Sequence, residues 1–296
     1  MEKELCKMEM KSIFNKVPNK KYLFSHKNVN PSRSPFIKLK INIRYMKDNL
    51  NEIIDNIKED KLCYDDFKVN YIKSEDGDIS YKERLNATKE IGFVITGFPD
   101  IHNPKVELAI TKVNEKWIFG ELVKNDFKWQ SHNDKPHSYS NAIPVRMARA
   151  LVNIAIGDNE NLKLVDPCCG VGTVVIEALD LGVNVKGYEI SKPIACNARN
   201  NIEFLGYDRD IITSGNMHDI NEIFDVAILD IPYGLYSPIT LKEQIDIINT
   251  ARRITRKLVI ITFEDMDNLI ISAGFKILDK CYMAKGSMKR EIVICE

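Results

Sequence analysis

The chain has 296 residues, 44% of them hydrophobic and 28% charged, which is the composition of a soluble globular protein with room for two domains. No run approaches the ~18 consecutive apolar residues of a membrane-spanning helix. The charged N-terminus has no apolar segment after it, so no secretory signal is expected. The 7 cysteines form no CxxC pair, and this predicts a reduced, cytoplasmic protein without a metal site.

Positive charge is concentrated at the start of the chain, although the net charge is zero. Residues 1–47 carry 12 basic and 3 acidic side chains, a balance that attracts the phosphate backbone of a nucleic acid. A solvated, lysine-rich surface explains the same count equally well. The charge alone leaves both interpretations open.

The first half of the chain predicts a small α+β domain. Its first 30 residues are polar and weakly patterned, which leaves a helix and a disordered lead-in open. Alternating apolar and polar residues predict a strand at 36–45, and helical spacing predicts a helix at 48–58. A β-branched run follows at 91–96, and a hairpin is predicted from 106–113 and 117–122.

The second half alternates strand-like runs with helical stretches. Strands are predicted at 162–165, 184–188, 211–213, 224–229, 257–262, 276–282 and 290–295. Helices are predicted at 142–155, 173–181, 193–205 and 241–254. This alternation predicts an α/β fold with a doubly wound, mostly parallel seven-stranded sheet covered on both faces.

The last two predicted strands are too close in sequence for a helix between them, so they predict a C-terminal antiparallel hairpin. Such an ending is more typical of methyltransferases than of nicotinamide dehydrogenases. The polar stretch at 129–136 is the expected domain boundary. We therefore expect a smaller α+β domain at 1–130 and the doubly wound domain at 131–296.

A glycine-containing motif, DPCCGVGT at 166–173, follows an apolar strand and opens an apolar helix. At the carboxyl edge of a doubly wound sheet, such a turn lets the backbone approach a ligand closely. Asp166 would accept a hydrogen bond from the amino group of the methionine moiety of S-adenosylmethionine, with Gly170 and Gly172 near its carboxylate and ribose. Because the third position of GxGxxG is Val175, a pyrophosphate-bearing dinucleotide is disfavoured. A purely structural turn is the alternative.

Two further strand ends supply the rest of the predicted cofactor site. Glu189 lies 23 residues after Asp166 at the end of the next strand, where a carboxylate binds ribose hydroxyls. Nicotinamide enzymes share that arrangement, so Glu189 does not separate the two classes. After the third strand, Asn216 and Met217 lie where an adenine ring is expected, and the amide of Asn216 both donates and accepts. A polar turn residue is the alternative for Asn216.

The motif DIPYG at 230–234 follows the apolar run 226–229 and indicates the reaction class. A carboxylate and a rigid backbone carbonyl together accept both hydrogens of an exocyclic amine. Tyr233 offers a face on which a base outside its helix can stack. An ordinary turn after a strand is the alternative. The candidate catalytic residues are Asp230, Pro232 and Tyr233.

The segment KPHSYS at 135–140 precedes the predicted helix 142–155 and is placed to close over the cofactor. Within it Tyr139 is a candidate cofactor contact, and His137 is a candidate base or a capping residue. The complete set of candidate cofactor-binding residues is Asp166, Pro167, Gly170, Gly172, Thr173, Glu189, Asn216, Met217 and Tyr139.

With these motifs, residues 130–296 resemble the class I amino-methyltransferases, and more narrowly the tRNA guanine-N2 methyltransferases that carry an N-terminal THUMP domain. The family's DPxxGxGT is matched at 166–173, its strand-end acid at Glu189 and its DPPYG at 230–234. The stretch 135–155 is similar to the family's lead-in helix. The segment 103–110 resembles the closing strand of a THUMP domain, so the resemblance implies a THUMP-like RNA-binding domain at 1–130.

The sequence departs from the family pattern at two positions. Ile231 replaces the first proline of DPPYG, which is expected to loosen the backbone where the amine binds. Asn216 replaces an acid, which is expected to weaken cofactor affinity. Either change is compatible with altered substrate choice or with lost activity.

The resemblance implies an S-adenosylmethionine-dependent methyltransferase that forms N2-methylguanosine in tRNA, at a position-10 type of site, with RNA as its partner. An adenine-N6 enzyme acting on DNA or ribosomal RNA has the same motif chemistry. A non-catalytic RNA-binding protein with a degenerate cofactor pocket is the rival from another class. A nicotinamide dehydrogenase is the least compatible with Val175 and the terminal hairpin.

Overall fold

The computed structural model describes residues 2–18, 20–76, 79–139, 142–159, 161–232, 239–285 and 288–296. The chain divides into two compact units. Unit 1 comprises Met1–Val17, Arg33–Phe36 and Phe127–Glu296, and unit 2 comprises Pro18–Ser32 and Ile37–Asp126. Within the described ranges, none of the helices has both the length and the apolar composition that crossing a membrane requires.

Unit 1 holds a seven-stranded sheet with helices on both faces. Its strands are β5 (Lys163–Asp166), β6 (Asn184–Glu189), β7 (Ile212–Ser214), β8 (Phe224–Asp230), β9 (Thr255–Thr262), β10 (Ile277–Lys285) and β11 (Met288–Cys295). Its helices are α1 (Lys3–Phe14), α4 (Val145–Ile156), α5 (Thr173–Asp180), α6 (Lys192–Phe204), α7 (Leu241–Ile254) and α8 (Asp267–Ser272). The elements are numbered along the whole chain.

The strand order in unit 1 is β10-β11-β9-β8-β5-β6-β7. Strands β5 to β9 are parallel to one another, whereas β11 is antiparallel to both β9 and β10. The predicted seven-stranded sheet with an antiparallel C-terminal hairpin is therefore confirmed. One apolar cluster lies between the sheet and α4, α5 and α6, and a second lies on the opposite face with α7 and α8.

The first helix, α1, belongs to unit 1, which differs from the predicted domain boundary. Leu5, Met8 and Ile13 on α1 are buried. Glu9 is fully buried as well, and its carboxylate accepts hydrogen bonds from Ser34 at 2.6 Å and Asn153 at 2.7 Å. The later part of the boundary falls at 126/127, four residues from the predicted one. The weak apolar pattern of the first 30 residues concealed α1, because part of its buried face is polar.

Unit 2 is a four-stranded sheet with two helices. Its elements are β1 (Leu39–Lys47), α2 (Leu50–Glu59), β2 (Phe67–Tyr71), α3 (Tyr81–Val94), β3 (Val106–Val113) and β4 (Lys116–Lys124). The strand order is β1-β4-β3-β2, with β2 parallel to β3 and the other pairs antiparallel. Its apolar core is formed by residues of both helices and of the sheet, among them Ile53, Ile57, Phe67, Ile91, Leu108, Ile110 and Phe119.

The predicted strand 36–45, helix 48–58 and hairpin of unit 2 correspond to β1, α2 and β3–β4. The run 91–96 is rich in β-branched residues, a composition typical of strands, but its first four residues end helix α3. Ala87 and Ile91 are buried one helical turn apart, and the capping box of Ser80 and Glu83 begins the helix. Only two residues of α3 are buried, so its helical periodicity is faint in the sequence.

Candidate active site

The three acids of the predicted motifs lie at one edge of the sheet in unit 1. Asp166 ends β5, Glu189 ends β6 and Asp230 ends β8. Strand β5 lies between β6 and β8 and is parallel to both. The expectation that the glycine turn and Asp230 share one rim of a single sheet is confirmed, and this rim is where doubly wound sheets bind their ligands.

The turn after β5 is held by the main chain. The N–H of Cys169 donates to the carbonyl of Tyr188 on β6 at 2.8 Å, and the N–H of Gly172 donates to the carbonyl of Cys169 at 2.8 Å. Gly170 and Gly172 have φ angles of 55° and 83°, which side chains disfavour. Pro167 is buried at the start of the turn. The local geometry thus favours glycine at the two predicted positions.

Glu189 connects this turn to β6. One of its carboxylate oxygens accepts from the N–H of Gly170 at 3.1 Å, and the other accepts from the N–H of Ser191 at 2.8 Å. Both oxygens keep further lone pairs for a ligand. The carboxylate is therefore fixed in place at the rim, which is what binding a ribose would need.

The turn after β7, the third parallel strand along the chain, is also hydrogen-bonded to this rim. The N–H of Gly215 donates to the carbonyl of Glu189 at 3.0 Å. The side-chain oxygen of Asn216 accepts from the N–H of His218 at 3.1 Å and so caps a short turn. Met217 is buried, with its sulfur 3.6 Å from the sulfur of Cys168. The capping contact orients the amide of Asn216 and leaves its nitrogen and a second lone pair of its oxygen available for an adenine edge.

Asp166 and Asp230 share an unusual electrostatic environment. Burial raises the pKa of Asp166 to about 8; the N–H of Cys168 opposes this shift, and the charges of Asp230 and Glu189 add to it. Burial likewise raises the pKa of Asp230 to about 6, opposed by the positive charge of Arg290. Oδ1 of Asp230 is buried and has no hydrogen-bond partner among the described residues. Perturbed, unpartnered carboxyls are typical of functional sites.

The main chain at Ile231, directly after Asp230, is hydrogen-bonded to the neighbouring strand. The N–H of Ile231 donates to the carbonyl of Ile261 on β9 at 3.2 Å, a bond that a proline could not make. The Ile231 side chain is buried in the second apolar cluster. The sheet therefore restrains Ile231 itself, and the expected loosening of the backbone at the amine site stays a prediction. Pro232 follows it, whereas Tyr233 and Gly234 lie outside the described residues.

The donor set at this rim fits S-adenosylmethionine. The three acids have no lysine or arginine ion-pair partner within the described ranges, so a cationic sulfonium and ammonium group would relieve their mutual repulsion. The hydroxyl of Thr173, in the first turn of α5, is also buried without a partner there and could donate to a carboxylate. No group of three or more His, Cys, Asp and Glu residues suited to a metal ion exists in the same part of the chain.

The segment leading into α4 is bound to α6 by one asparagine that the motif search missed. The fully buried amide of Asn201 donates to the carbonyls of His137 and Val171, each at 2.9 Å, and accepts from the N–H of His137 at 2.9 Å. Its signal in the sequence is a polar residue on the apolar face that Ala198 and Ile202 share. Asn201 thus joins the glycine turn to the lead-in segment.

Tyr139 lies at the described end of that lead-in segment and is half exposed, with its hydroxyl 3.5 Å from the amide nitrogen of Asn197. The His137 ring lies 3.5 Å from the amide of Asn200. Both side chains contact α6, and neither has a described hydrogen bond to Asp230. These contacts do not decide between a base, a cap and a surface residue for His137, and the role of Tyr139 toward a cofactor also stays a prediction.

Residues 134–237 match the protein family described as UPF0020: RMKL-like, methyltransferase domain. The chain is also 25% identical over 198 residues to a tRNA (guanine(10)-N2)-dimethyltransferase of Methanothermobacter thermautotrophicus, a match covering 64% of this chain and 57% of that protein. It is 26% identical over 214 residues to the Pyrococcus abyssi protein of the same name, covering 67% and 64%. The matches thus span less than two thirds of either relative.

Among solved structures, TrmN from Thermus thermophilus superposes with a TM-score of 0.47 at 15% sequence identity, over 88% of this chain and 84% of that one. The family match coincides with the glycine turn and the three strand-end acids described above. The predicted methyltransferase class and its cofactor are thereby confirmed. Residues 134–237 are thus similar to an RMKL-like methyltransferase domain, the class whose expected cofactor is S-adenosylmethionine.

Proposed function

We propose that this protein transfers a methyl group to an exocyclic base amine of RNA, namely guanosine N2 in tRNA at a position-10 type of site. The observation that carries the proposal is the buried Oδ1 of Asp230, which has no hydrogen-bond partner among the described residues and lies on the strand next to the glycine turn. A carboxylate in that position accepts a hydrogen bond from an amine and holds its lone pair toward the donor. The names of both curated relatives supply the tRNA guanine as substrate.

The chemistry divides between the cofactor and the chain. When bound, S-adenosylmethionine supplies a methyl group activated by a positively charged sulfur. The chain positions it: Glu189 and the glycine turn are placed for the nucleoside part, and Asp166 and Thr173 for the amino acid part. Oδ1 of Asp230 accepts an N–H of the target amine and is available to take the proton that the nitrogen loses. With a pKa of about 6, this carboxyl is mostly ionised near neutral pH.

The remaining assignments follow from this substrate. Pro232 and Tyr233 would complete the amine site, with Tyr233 stacking on the extruded base. Unit 2 would be a THUMP-like RNA-binding domain, supported by the resemblance of 103–110, whose last five residues lie in the central strand β3. A protein that modifies tRNA works where tRNA is, which supports the expected cytoplasmic location.

Mass analysis of nucleosides tests the proposal. The full chain is incubated with unmodified tRNA and isotope-labelled cofactor, and the RNA is then digested. We expect label in N2-methylguanosine or N2,N2-dimethylguanosine. Label in N6-methyladenosine, from ribosomal RNA or DNA offered in parallel, would establish the adenine rival. Absence of transfer together with absence of calorimetric cofactor binding would favour the non-catalytic RNA-binding protein.

A further inference from the structure

Arg290 lies on the same face and at the same edge of the sheet as Asp230. Asp230 on β8 is paired with Ile261 on β9, and Thr262 on β9 is paired with Glu291 on β11. Continuing that register by one residue places Arg290 opposite Phe263. Because side chains alternate along a strand, Arg290 and Phe263 project to the same face as Ile261 and Asp230.

Two apolar groups hold the Arg290 side chain at this edge. Its guanidinium carbon lies 5.2 Å from the centre of the Phe263 ring, and its Nη1 lies 3.8 Å from the sulfur of Met147 on α4. The residue is half-buried. A guanidinium stacked on a ring keeps the edges of its plane free, and those edges carry its five N–H donors.

Arg290 has no oxygen partner among the described residues, unlike comparable arginines of unit 1. Within the described part of the chain it forms no ion pair and no hydrogen bond to oxygen. Arg149 is bonded to Glu177 at 2.8 Å, and Arg253 to the carbonyls of Ile220 at 2.6 Å and His218 at 2.9 Å. Arg252 stacks on Phe275 at 5.1 Å and also donates to two carbonyls. Arg290 therefore has donors to offer a ligand.

The charge of Arg290 acts at the reaction site. It opposes the effect of burial on Asp230, so the two groups interact electrostatically although they form no described ion pair. An extruded nucleotide brings its phosphates along with its base, and a guanidinium with free edges binds phosphate through two parallel hydrogen bonds.

We propose that Arg290, stacked on Phe263, is a subsite for an RNA backbone phosphate next to the target base. This inference rests on the proposed function and deepens it, because it assigns a residue outside every predicted motif to substrate binding. The phosphate contact would fix the register of the strand, while Asp230 reads the amine.

The test compares substitutions of two stacked arginines. Arg290→Met keeps an apolar stem on Phe263 and removes the charge, whereas Arg290→Lys keeps the charge. Arg252→Met is the matched control, because Arg252 is stacked in the same way near the start of β9, at the opposite edge of the sheet. The measurements are tRNA affinity at several salt concentrations, KM and kcat for tRNA, and the Kd of the cofactor.

For Arg290→Met we expect tRNA affinity to fall about tenfold and KM to rise accordingly, since a charge-assisted hydrogen bond is lost. The slope of log K against log salt should become shallower by about 0.7 to 0.9, the change for one phosphate contact. Cofactor Kd should be unchanged. Arg290→Lys should retain the slope with part of the affinity loss, and Arg252→Met should retain the wild-type slope and KM.

A wild-type salt slope in Arg290→Met would overturn the subsite. So would a shift in the pH profile of kcat with tRNA affinity unchanged, because Arg290 would then act only through the charge of Asp230. A wild-type chain that neither binds nor methylates tRNA would overturn the proposed function and this subsite together. Failure of the subsite alone leaves wild-type methylation intact, so the two failures are distinguishable.

Discussion

Two of the regions in which unit 1 buries carboxylates have different surroundings. In the first, Glu177 on α5 is fully buried and bonded to Arg149 at 2.8 Å and to His132 at 2.6 Å. In the second, at the carboxyl edge of the sheet, Asp166 and Asp230 are buried without a cationic ion-pair partner among the described residues. The first region pairs its charges within the protein, whereas the second has no such described ion pair and suits a positively charged ligand.

This difference shows how buried charge separates structural residues from functional ones. A paired buried charge destabilises the fold when one partner is removed, because the other charge is then left without compensation. An unpaired buried carboxyl costs stability by itself, so replacing it need not destabilise the protein and should affect binding or catalysis instead. Substitutions in the paired region and in the unpaired region of unit 1 can therefore be compared with each other.

The largest expected effect is on catalysis at Asp230. Asp230→Ala should lower methyl transfer by about 10³-fold, since the amine loses its fixed acceptor, while the Kd of the cofactor and the free energy of unfolding change little. Single-turnover transfer with labelled cofactor measures the rate of methyl transfer, and calorimetry measures the Kd of the cofactor. Asp210→Ala, at an exposed position, is the control. Transfer at the wild-type rate in Asp230→Ala would refute the role of this carboxylate.

The next effect is on stability in the paired region. Glu177→Ala should lower the free energy of unfolding by about 3 kcal/mol, because Arg149 is left buried with less compensation. Urea unfolding followed by circular dichroism measures the change. Glu4→Ala removes an exposed ion pair with Lys7 in the same unit and should change the free energy by less than ~0.5 kcal/mol. Equal effects of the two substitutions would mean that the buried pair contributes no more than a surface pair.

The smallest expected effect is on the pH dependence of cofactor binding. The ligand-free chain keeps Asp166 protonated below its pKa of about 8, and a cationic ligand favours the ionised carboxyl. Cofactor affinity should therefore rise as pH increases toward 8, by up to about tenfold per unit, with release of a proton. Calorimetry in buffers of different ionisation enthalpy counts that proton. Asp166→Asn should remove the dependence, and an unchanged slope in that variant would assign the proton to another group.

The same linkage fixes the sign of the effect on stability. The pKa of Asp166 is raised from 3.8 to about 8 in the folded chain, so the folded chain binds this proton more tightly than the unfolded chain does. The contribution of Asp166 to the free energy of unfolding is full below pH 3.8 and declines as pH rises toward 8. Bound cofactor should offset this decline. Thermal unfolding with and without cofactor at pH 6 and pH 8 would sharpen the comparison.

The sequence predicted well where local pattern and fold agree. The seven strands of unit 1 and most of its helices have strong periodicity, so their positions were correct to within a few residues, apart from the short helix α8. The prediction was poorer for elements that are stabilised by residues distant along the chain. Helix α1 packs in unit 1 through a buried face that includes the carboxylate of Glu9, and α3 buries only two side chains, so neither has the apolar pattern of an ordinary helix.

The candidate site shows the same division. The motifs at 166–173 and 230–234 identified Asp166 and Asp230 because each motif is a short run of residues directly after a strand. Such a motif can be recognised without knowing how the rest of the chain folds. Asn201 was missed, since its three hydrogen bonds reach residues 30 and 64 positions away. Arg290 was missed because its place beside Asp230 depends on the pairing of β9 with β11, which no local pattern specifies.

By itself the sequence determined the alternation of strands and helices, the glycine turn and the acids that follow strands, because these depend on residues close together along the chain. Only the tertiary structure decided that Asp166 and Asp230 share one rim, that α1 belongs to unit 1, and that Arg290 stacks on Phe263 at the same edge. These features depend on strand order and burial. Burial sets pKa values and leaves donors unpaired, and it arises only when distant segments pack together.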